Sequence, residues 1–133
     1  MGVERRILFE YHSSDGAFSA VCQEEDGIVI AVHSGVLEID TARDLSRKYN
    51  EVQGQLGGKY LFFLDMTDVT NVSAEARIYV TKTMLGDDSP FKKWATMSGS
   101  FVLRTMVNMH AIIARLPIKD FSSKGEAFIW LKK

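Results

Sequence analysis

The fold of this chain is decided by Leu61–Arg77, which reads LFFLDMTDVTNVSAEAR. An apolar run ends in Asp65, and the polar residues after it predict a short loop. Ser73 then precedes a segment that is typical of the first turn of a helix. The N–H groups at a helix start lack intrahelical acceptors and can hold an anion or a partner's carboxylate. The stretch therefore predicts a small α/β domain that binds something where this strand ends.

Bulk composition limits the protein to a few classes. The chain has 133 residues, of which 46% are hydrophobic and 25% charged, with a net charge of -1. These values predict one globular domain over residues 1–133, and near-neutrality argues against nucleic-acid binding. The N-terminus has no apolar signal core and no stretch approaches the ~18 apolar residues of a membrane span, which predicts a cytoplasmic protein. The lone Cys22 is expected to be a small buried hydrophobe.

The first third of the chain predicts an antiparallel meander of three strands. Asp15-Gly16 and Asp26-Gly27 favour tight hairpin turns between them. Ile28–Val32 is apolar throughout and should be covered on both sides. The predicted strands are Arg6–His12, Ala17–Gln23 and Ile28–His33, with Phe18, Ala20 and Cys22 on one face of the second.

Helical and extended patterns then alternate to the end of the chain. Thr41 with Asp44 resembles a capping box, and Gly57 can end that first helix. The remaining predicted elements are a central strand Tyr60–Met66, a helix Ala74–Leu85, a strand Lys93–Ser98, a helix Phe101–Leu116, a strand Ile118–Phe121 and a last helix after Ser123. The order βββ followed by αβαβαβα favours right-handed crossovers that place helices against a mixed sheet.

Motifs for catalysis or for metal and cofactor binding are not visible in the sequence. The three histidines have no metal-ligand spacing, and no nucleophile elbow, dinucleotide fingerprint or phosphate loop occurs. The sequence thus predicts a protein that is not an enzyme and holds no metal or cofactor. His110 is predicted to be a hydrogen-bonded core residue, on a helical stripe with Val102, Leu103, Met106, Ile113 and Ala114.

The third helix carries a further signal. Its polar residues Arg104, Asn108 and Arg115 fall on one narrow stripe, which leaves an apolar arc wider than the ~100° that one sheet contact needs. A flank of this arc could form a dimer contact or line an apolar ligand site. Alternatively, the second or fourth helix covers it. The flank comprises Phe101, Thr105, Met109, Ile112 and Leu116.

The layout resembles a known family. A strand ending in Asp65, then Thr67, Val69, Val72 and Ser73-Ala74 opening a helix, is similar to the STAS family, whose type member is the SpoIIAA anti-sigma-factor antagonist. The STAS/SEC14-like set of small bacterial proteins looks closer still, over roughly residues 27–131. The resemblance implies a SpoIIAA-like mixed sheet flanked by helices, and a role in protein association rather than catalysis.

The resemblance also identifies one departure from the family. In antagonists proper, a kinase phosphorylates a Ser at the start of the helix after the central strand, and the added charge releases the partner. That position is Ala74 here, which cannot be phosphorylated, and Glu75-Ala76 replaces the Ser-Gly that usually follows. The resemblance therefore implies an interaction module without this switch.

Two hypotheses follow from the sequence and the resemblance. In the first, a protein partner, such as a sigma-factor regulator, docks on Asp65, Thr67, Asp68, Ser73, Ala74 and Arg77, and a homodimer is the expected assembly. In another interpretation Arg77 only braces the loop, for instance against Asp65. In the second hypothesis, suggested by the SEC14 side, an apolar pocket holds a fatty or isoprenoid molecule between walls that include Phe101, Met106 and Met109.

Overall fold

A computed structural model describes residues 5–133 and shows one six-stranded mixed sheet with four helices. The prediction of an N-terminus without a signal core falls partly on residues 1–4, outside the described residues. The predicted α/β class and element order are confirmed. The elements are β1 Arg5–His12, β2 Phe18–Glu25, β3 Ile28–Leu37, α1 Ile39–Leu56, β4 Tyr60–Val72, α2 Ala74–Met84, β5 Phe91–Ser98, α3 Phe101–Ile113, β6 Ile118–Asp120 and α4 Lys124–Leu131.

The strands lie in the sheet in chain order, β1 to β6. β1, β2 and β3 pair antiparallel through the two predicted hairpin turns, and Gly27 takes a positive φ of 79° in the second turn. From β3 onward each strand pairs parallel with the next. Parallel neighbours need a crossover connection, and α1, α2 and α3 supply these connections in turn.

The helices cover both faces of the sheet unequally. Val29 and Ala31 of β3 belong to a large core with residues of α1, α2 and α3. Ile28 and Ile30, which point the other way, belong to a smaller core with α4. The prediction that Ile28–Val32 is covered on both sides is confirmed, except that Val32 is 40% exposed.

The large core is built around the aromatic ring of Tyr49 on α1. Tyr49 contacts Phe62 and Phe91 edge-on, and those two rings stack with centroids 4.2 Å apart. His33 lies buried beside it, with Nε2 2.7 Å from the Tyr49 hydroxyl, and burial lowers the pKa of His33 to about 3. Cys22 is fully buried as predicted, and burial raises the pKa of its thiol to about 12.

The predicted loop after Met66 is wrong, because β4 continues through it to Val72. β3 is also longer than predicted and pairs with this second half, from Ser34 opposite Asp68 to Leu37 opposite Val72. Two register shifts in the pairing of β3 with β4 allow the polar residues after Met66 to form an irregular but extended strand. A polar composition indicated a turn, but a neighbouring strand supplies the backbone partners that keep it extended.

Two helix boundaries also differ from prediction. α1 begins at Ile39 after Glu38, so Thr41 is a buried helical residue and Asp44 accepts a hydrogen bond from the Tyr11 hydroxyl (2.8 Å). The prediction of a capping box formed by Thr41 and Asp44 is therefore wrong, because the Asp44 carboxylate binds Tyr11 of β1 instead. α3 ends at Ile113, since Ala114 is already extended with ψ of 144°.

Candidate functional site

The site is the point where β4 passes the chain to α2. The Ser73 N–H donates to the Leu37 carbonyl oxygen (2.9 Å), which keeps the strand paired up to its last residue. The Ser73 hydroxyl then accepts from the Ala76 N–H (3.1 Å), as expected for an N-cap. Ala74, Glu75 and Arg77 of the first turn are exposed. The predicted strand-to-helix junction is thus formed and presented at the surface.

Asp65 is engaged locally. Its Oδ1 accepts from the Thr67 N–H (3.0 Å) and from the Thr67 hydroxyl (2.7 Å). Neither an ion pair nor a hydrogen bond links Arg77 to Asp65 within residues 5–133, so Arg77 does not brace the chain against Asp65. Arg77 instead lies on the exposed side of α2 and lines a groove towards α3.

The six predicted partner-binding residues follow one another along the end of β4 and the start of α2. Thr67, Asp68, Ala74 and Arg77 are exposed, whereas Asp65 and Ser73 are half-buried. The residues thus follow one another along the chain near the end of β4, and this placement assigns them no partner.

The end of β4 is open on one side. β5 stops at Ser98, which pairs with Met66, so residues 68–72 pair with β3 alone among the strands that the structure describes. Gly99 follows at once, and a Cβ there would lie 2.5 Å from the Thr67 carbonyl oxygen. Only glycine allows this close approach, which brings the start of α3 beside the open end of β4.

A buried carboxylate, which the sequence did not reveal, fixes the start of α3. Asp120 Oδ1 accepts from the hydroxyl of Thr96 (2.7 Å) and from the N–H (3.1 Å) and hydroxyl (2.7 Å) of Ser98. Arg104 Nε of α3 lies 3.5 Å from Asp120 Oδ2. The small hydroxyl residues that end β5 were a signal, but their partner comes from another strand.

α3 exposes most of its apolar side chains. Leu103 and Val107 are buried, but Val102 and Ile113 are 75% and 60% exposed. The predicted core stripe is therefore wrong at these two positions. Among the flank residues, Phe101, Met109 and Ile112 are 78%, 63% and 84% exposed, Thr105 is exposed and Leu116 is half-buried.

The prediction that α2 or α4 covers this flank is wrong for those exposed residues. α3 leads to the edge strand β6 and packs on β5 and β6, whereas α4 packs on β4 and β5 from the other face. The outermost crossover helix has a neighbour on one side at most, so its far side stays open. Residues 5–133 contain nothing that covers it.

Beneath α2 and α3 lies a small apolar cavity of about 80 Å³ that the sequence did not reveal. His110, half-buried in its wall, has Nε2 3.3 Å from the Thr81 hydroxyl, and burial, with a smaller contribution from Arg77, lowers the pKa of the imidazole. The predicted hydrogen bond of His110 is therefore present. Trp94 also lines the cavity, and its buried Nε1 has no hydrogen-bond partner in the described chain.

A wider surface groove of about 360 Å³ lies next to this cavity. One wall is the junction between β4 and α2, with Asn71 and Arg77, and the other is α3 from Phe101 to Met109. Met106 lines both the groove and the cavity. The groove therefore brings Arg77, from the predicted partner-binding residues, beside Phe101, Thr105 and Met109 of the predicted apolar flank.

Clusters of three or more His, Cys, Asp or Glu able to hold a metal ion do not occur in the described part of the chain. In the same residues, every helix is too short or too polar to cross a membrane.

Comparison with known proteins identifies the family. The family model described as a domain of unknown function (DUF7793) matches residues 22–133. The chain belongs to the DUF7793 family. No curated protein matches the sequence of this DUF7793 chain.

Two solved structures are similar to this DUF7793 chain. A protein of the DUF3478 family with a SpoIIAA-like fold from Shewanella loihica PV-4 is 14% identical, with a TM-score of 0.61 over 98% of this chain and 96% of that one. An anti-sigma factor antagonist from Mycobacterium paratuberculosis is 13% identical, with a TM-score of 0.64 over 92% of this chain and 100% of that one. At these identities the likeness concerns the fold, and it confirms the SpoIIAA-like fold.

Proposed function

We propose that this chain is a non-catalytic protein-binding module of regulatory type. Its docking surface would be the junction of β4 and α2, comprising Asp65, Thr67, Asp68, Ser73, Ala74 and Arg77. The observation that carries the proposal is the exposed junction itself, in which an open strand end meets an exposed first helical turn. One solved protein of this fold is an anti-sigma factor antagonist, which makes a sigma-factor regulator a candidate partner. A cytoplasmic location and the absence of nucleic-acid binding remain predictions from the sequence.

We further propose that phosphorylation does not regulate the first residue of α2. Ala74 has no hydroxyl, and the neighbouring Ser73 hydroxyl is occupied by the Ala76 N–H. Binding would then be constitutive or controlled on the partner's side.

A charge placed at position 74 tests the docking surface. Affinity capture from the native cytoplasm with wild-type chain should recover a stoichiometric partner, and Ala74→Glu should release it by adding a negative charge at the junction. Asn50→Glu, which adds the same charge at an exposed position of α1, is the matched control and should retain the partner. Recovery of no stoichiometric partner, or equal recovery with all three chains, would contradict the proposal.

The apolar flank of α3 supports self-association as a competing use of the same region. Phe101, Met109 and Ile112 are exposed together, and homodimers are the commonest oligomers. Sedimentation of the purified chain over a range of concentrations separates a homodimer from a chain that needs a different partner.

A second candidate, binding of a small apolar ligand, is favoured by the cavity beneath α2 and α3. Its volume of about 80 Å³ is well below the roughly 300–1,000 Å³ of ligand pockets, so a fatty or isoprenoid molecule would require α3 to move. Phe101 and Met109 line the outer groove rather than this cavity, and only Met106 of the three predicted walls lines both. Native mass spectrometry of the purified chain that shows no copurifying small molecule would remove this candidate.

A further inference from the structure

The groove between the β4–α2 junction and α3 carries a positive charge without a negative charge beside it in the part of the chain that the structure describes. Among the described residues that line it, Arg77 alone is charged. Five other arginines have a carboxylate within 4 Å: Arg5, Arg6, Arg43, Arg47 and Arg104. Arg77 has no such partner in residues 5–133. A cation left unpaired beside apolar side chains favours an anionic partner group.

The same groove carries apolar surface that nothing in the described chain covers. Phe101 and Met109 on its α3 wall are 78% and 63% exposed, and Met106 lies deeper. Contiguous exposed apolar surface with a polar rim is typical of an interaction site, and Phe and Met are enriched in such sites. An occupant would therefore bring an apolar group next to its negative charge.

The third feature is the open strand end. Residues 68–72 of β4 have β3 on one side and, on the other, no strand of the described fold beyond Ser98 of β5. Asn71 and Val72 of this segment line the groove. Backbone groups of an unpaired strand edge are the template for addition of an extended peptide. An acyl chain has no backbone groups to pair with this edge, and the adjacent cavity is too small to hold one.

We propose that the groove binds an extended segment of a partner protein that carries an acidic residue within two positions of an apolar one. The acidic side chain pairs with Arg77, the apolar side chain packs on Phe101 and Met109, and the segment's backbone lies along residues 68–72. This inference rests on the proposed function and names the chemistry of the partner. Glu75 does not occupy Arg77, since residues two apart on a helix point in different directions.

Peptide display with the full chain as bait tests the inference. From a random 12-residue library, we expect enrichment of peptides with Asp or Glu within two positions of Leu, Ile, Met or Phe. An enriched peptide, measured by fluorescence anisotropy, should bind Arg77→Gln at least about tenfold more weakly than wild type, because the paired charge is lost. Arg115→Gln is the matched control, since Arg115 is also exposed without an ion-pair partner in the described chain but lies outside the groove.

Two further variants sharpen the result. Display on Arg77→Glu should enrich Lys or Arg in place of the acid, and Met109→Lys should weaken the original peptide. Arg77 and Met109 are exposed, so melting temperatures close to wild type should confirm that the variants are folded. No enrichment, enrichment without an acid, equal binding by Arg77→Gln and Arg115→Gln, or displacement of the peptide by decanoate would each overturn the inference.

The Ala74→Glu and Arg77→Gln variants together distinguish a failure of this inference from a failure of the proposed function. If Ala74→Glu releases a native partner but Arg77→Gln keeps it, the docking module stands and the acidic-peptide groove is wrong. If neither variant changes capture, the docking surface itself is wrong.

Discussion

α1 and α3 are both crossover helices on the same face of the sheet, yet they use their apolar residues differently. α1 buries Leu45, Tyr49 and Val52, and its outward positions are mostly polar or charged. α3 buries Leu103 and Val107 and leaves large apolar side chains such as Phe101 and Ile112 exposed. α1 packs against α2 beside the centre of the sheet, whereas α3 lies at its edge. The comparison indicates that α1 serves stability, whereas the open side of α3 is the surface on which we propose that another molecule docks.

Removing the central aromatic of α1 should have the largest effect on stability. We expect Tyr49→Ala to lower the free energy of unfolding by about 3–5 kcal/mol, because it leaves a cavity and removes the hydrogen-bond partner of buried His33. Denaturant unfolding followed by circular dichroism measures this change. Phe101→Ala at the exposed start of α3 should cost less than about 0.5 kcal/mol. Equal losses in the two variants would break the distinction between the helices.

The core under α1 should also make stability depend on pH. The pKa of His33 is about 3 in the folded protein against an ordinary value of 6.5, because burial disfavours the charged imidazole. Well above pH 6.5 the imidazole is neutral in both the folded and the unfolded chain. As the pH falls below 6.5 the unfolded chain takes up a proton that the folded chain does not, so stability falls progressively until about pH 3.

At pH 5 this linkage should cost about 2 kcal/mol relative to pH 7.5. Unfolding free energies at both pH values measure it. His33→Gln should remove this component of the pH dependence, and His12→Gln, at an exposed position of β1, should retain it. The same pH dependence in both variants would show that His33 is not its source.

The contacts of Asp120 that hold α3 should contribute less to the free energy of unfolding than the core under α1. We expect Asp120→Ala to lower the free energy of unfolding by about 2 kcal/mol, since it leaves Thr96 and Ser98 donors without their acceptor. Arg104→Gln, which removes only a half-exposed ion pair, should cost less than about 1 kcal/mol. Because Asp120→Ala removes the ion pair as well as the hydrogen bonds, equal losses in the two variants would show that the ion pair, and not the hydrogen bonds, holds α3.

The smallest effect on stability is expected at the far end of α3. Ile112 is 84% exposed, so Ile112→Lys should change the free energy of unfolding by less than about 0.5 kcal/mol while reducing any concentration-dependent self-association. Sedimentation velocity measures the association, and Asn108→Lys on the polar stripe is the control with the same added charge. Self-association that is unchanged by Ile112→Lys would exclude this part of α3 as a dimer contact.

The sequence anticipated most of the architecture but only part of the candidate site. The sequence predicted the features that depend on local rules of φ, capping and burial. These are the hairpin turns at Gly16 and Gly27, the N-cap at Ser73 and the apolar strand from Tyr60. The loop predicted after Met66 failed because its outcome depends on β3, a partner some 30 residues away. The core stripe on α3 failed at Val102 and Ile113 because a periodic pattern gives an apolar face without saying what covers it.

By itself, the sequence determined the order of strands and helices, the mixed sheet and the junction at Ser73, since these follow from residue-level preferences along the chain. Only the tertiary structure decided that β4 extends beyond the end of β5 and that Gly99 brings α3 beside the open end of β4. It also decided that Arg77 faces an apolar groove that contains no anionic group of the described chain. These features depend on contacts between residues far apart in sequence. Such contacts are set by how strands end and helices cross, which no local pattern specifies.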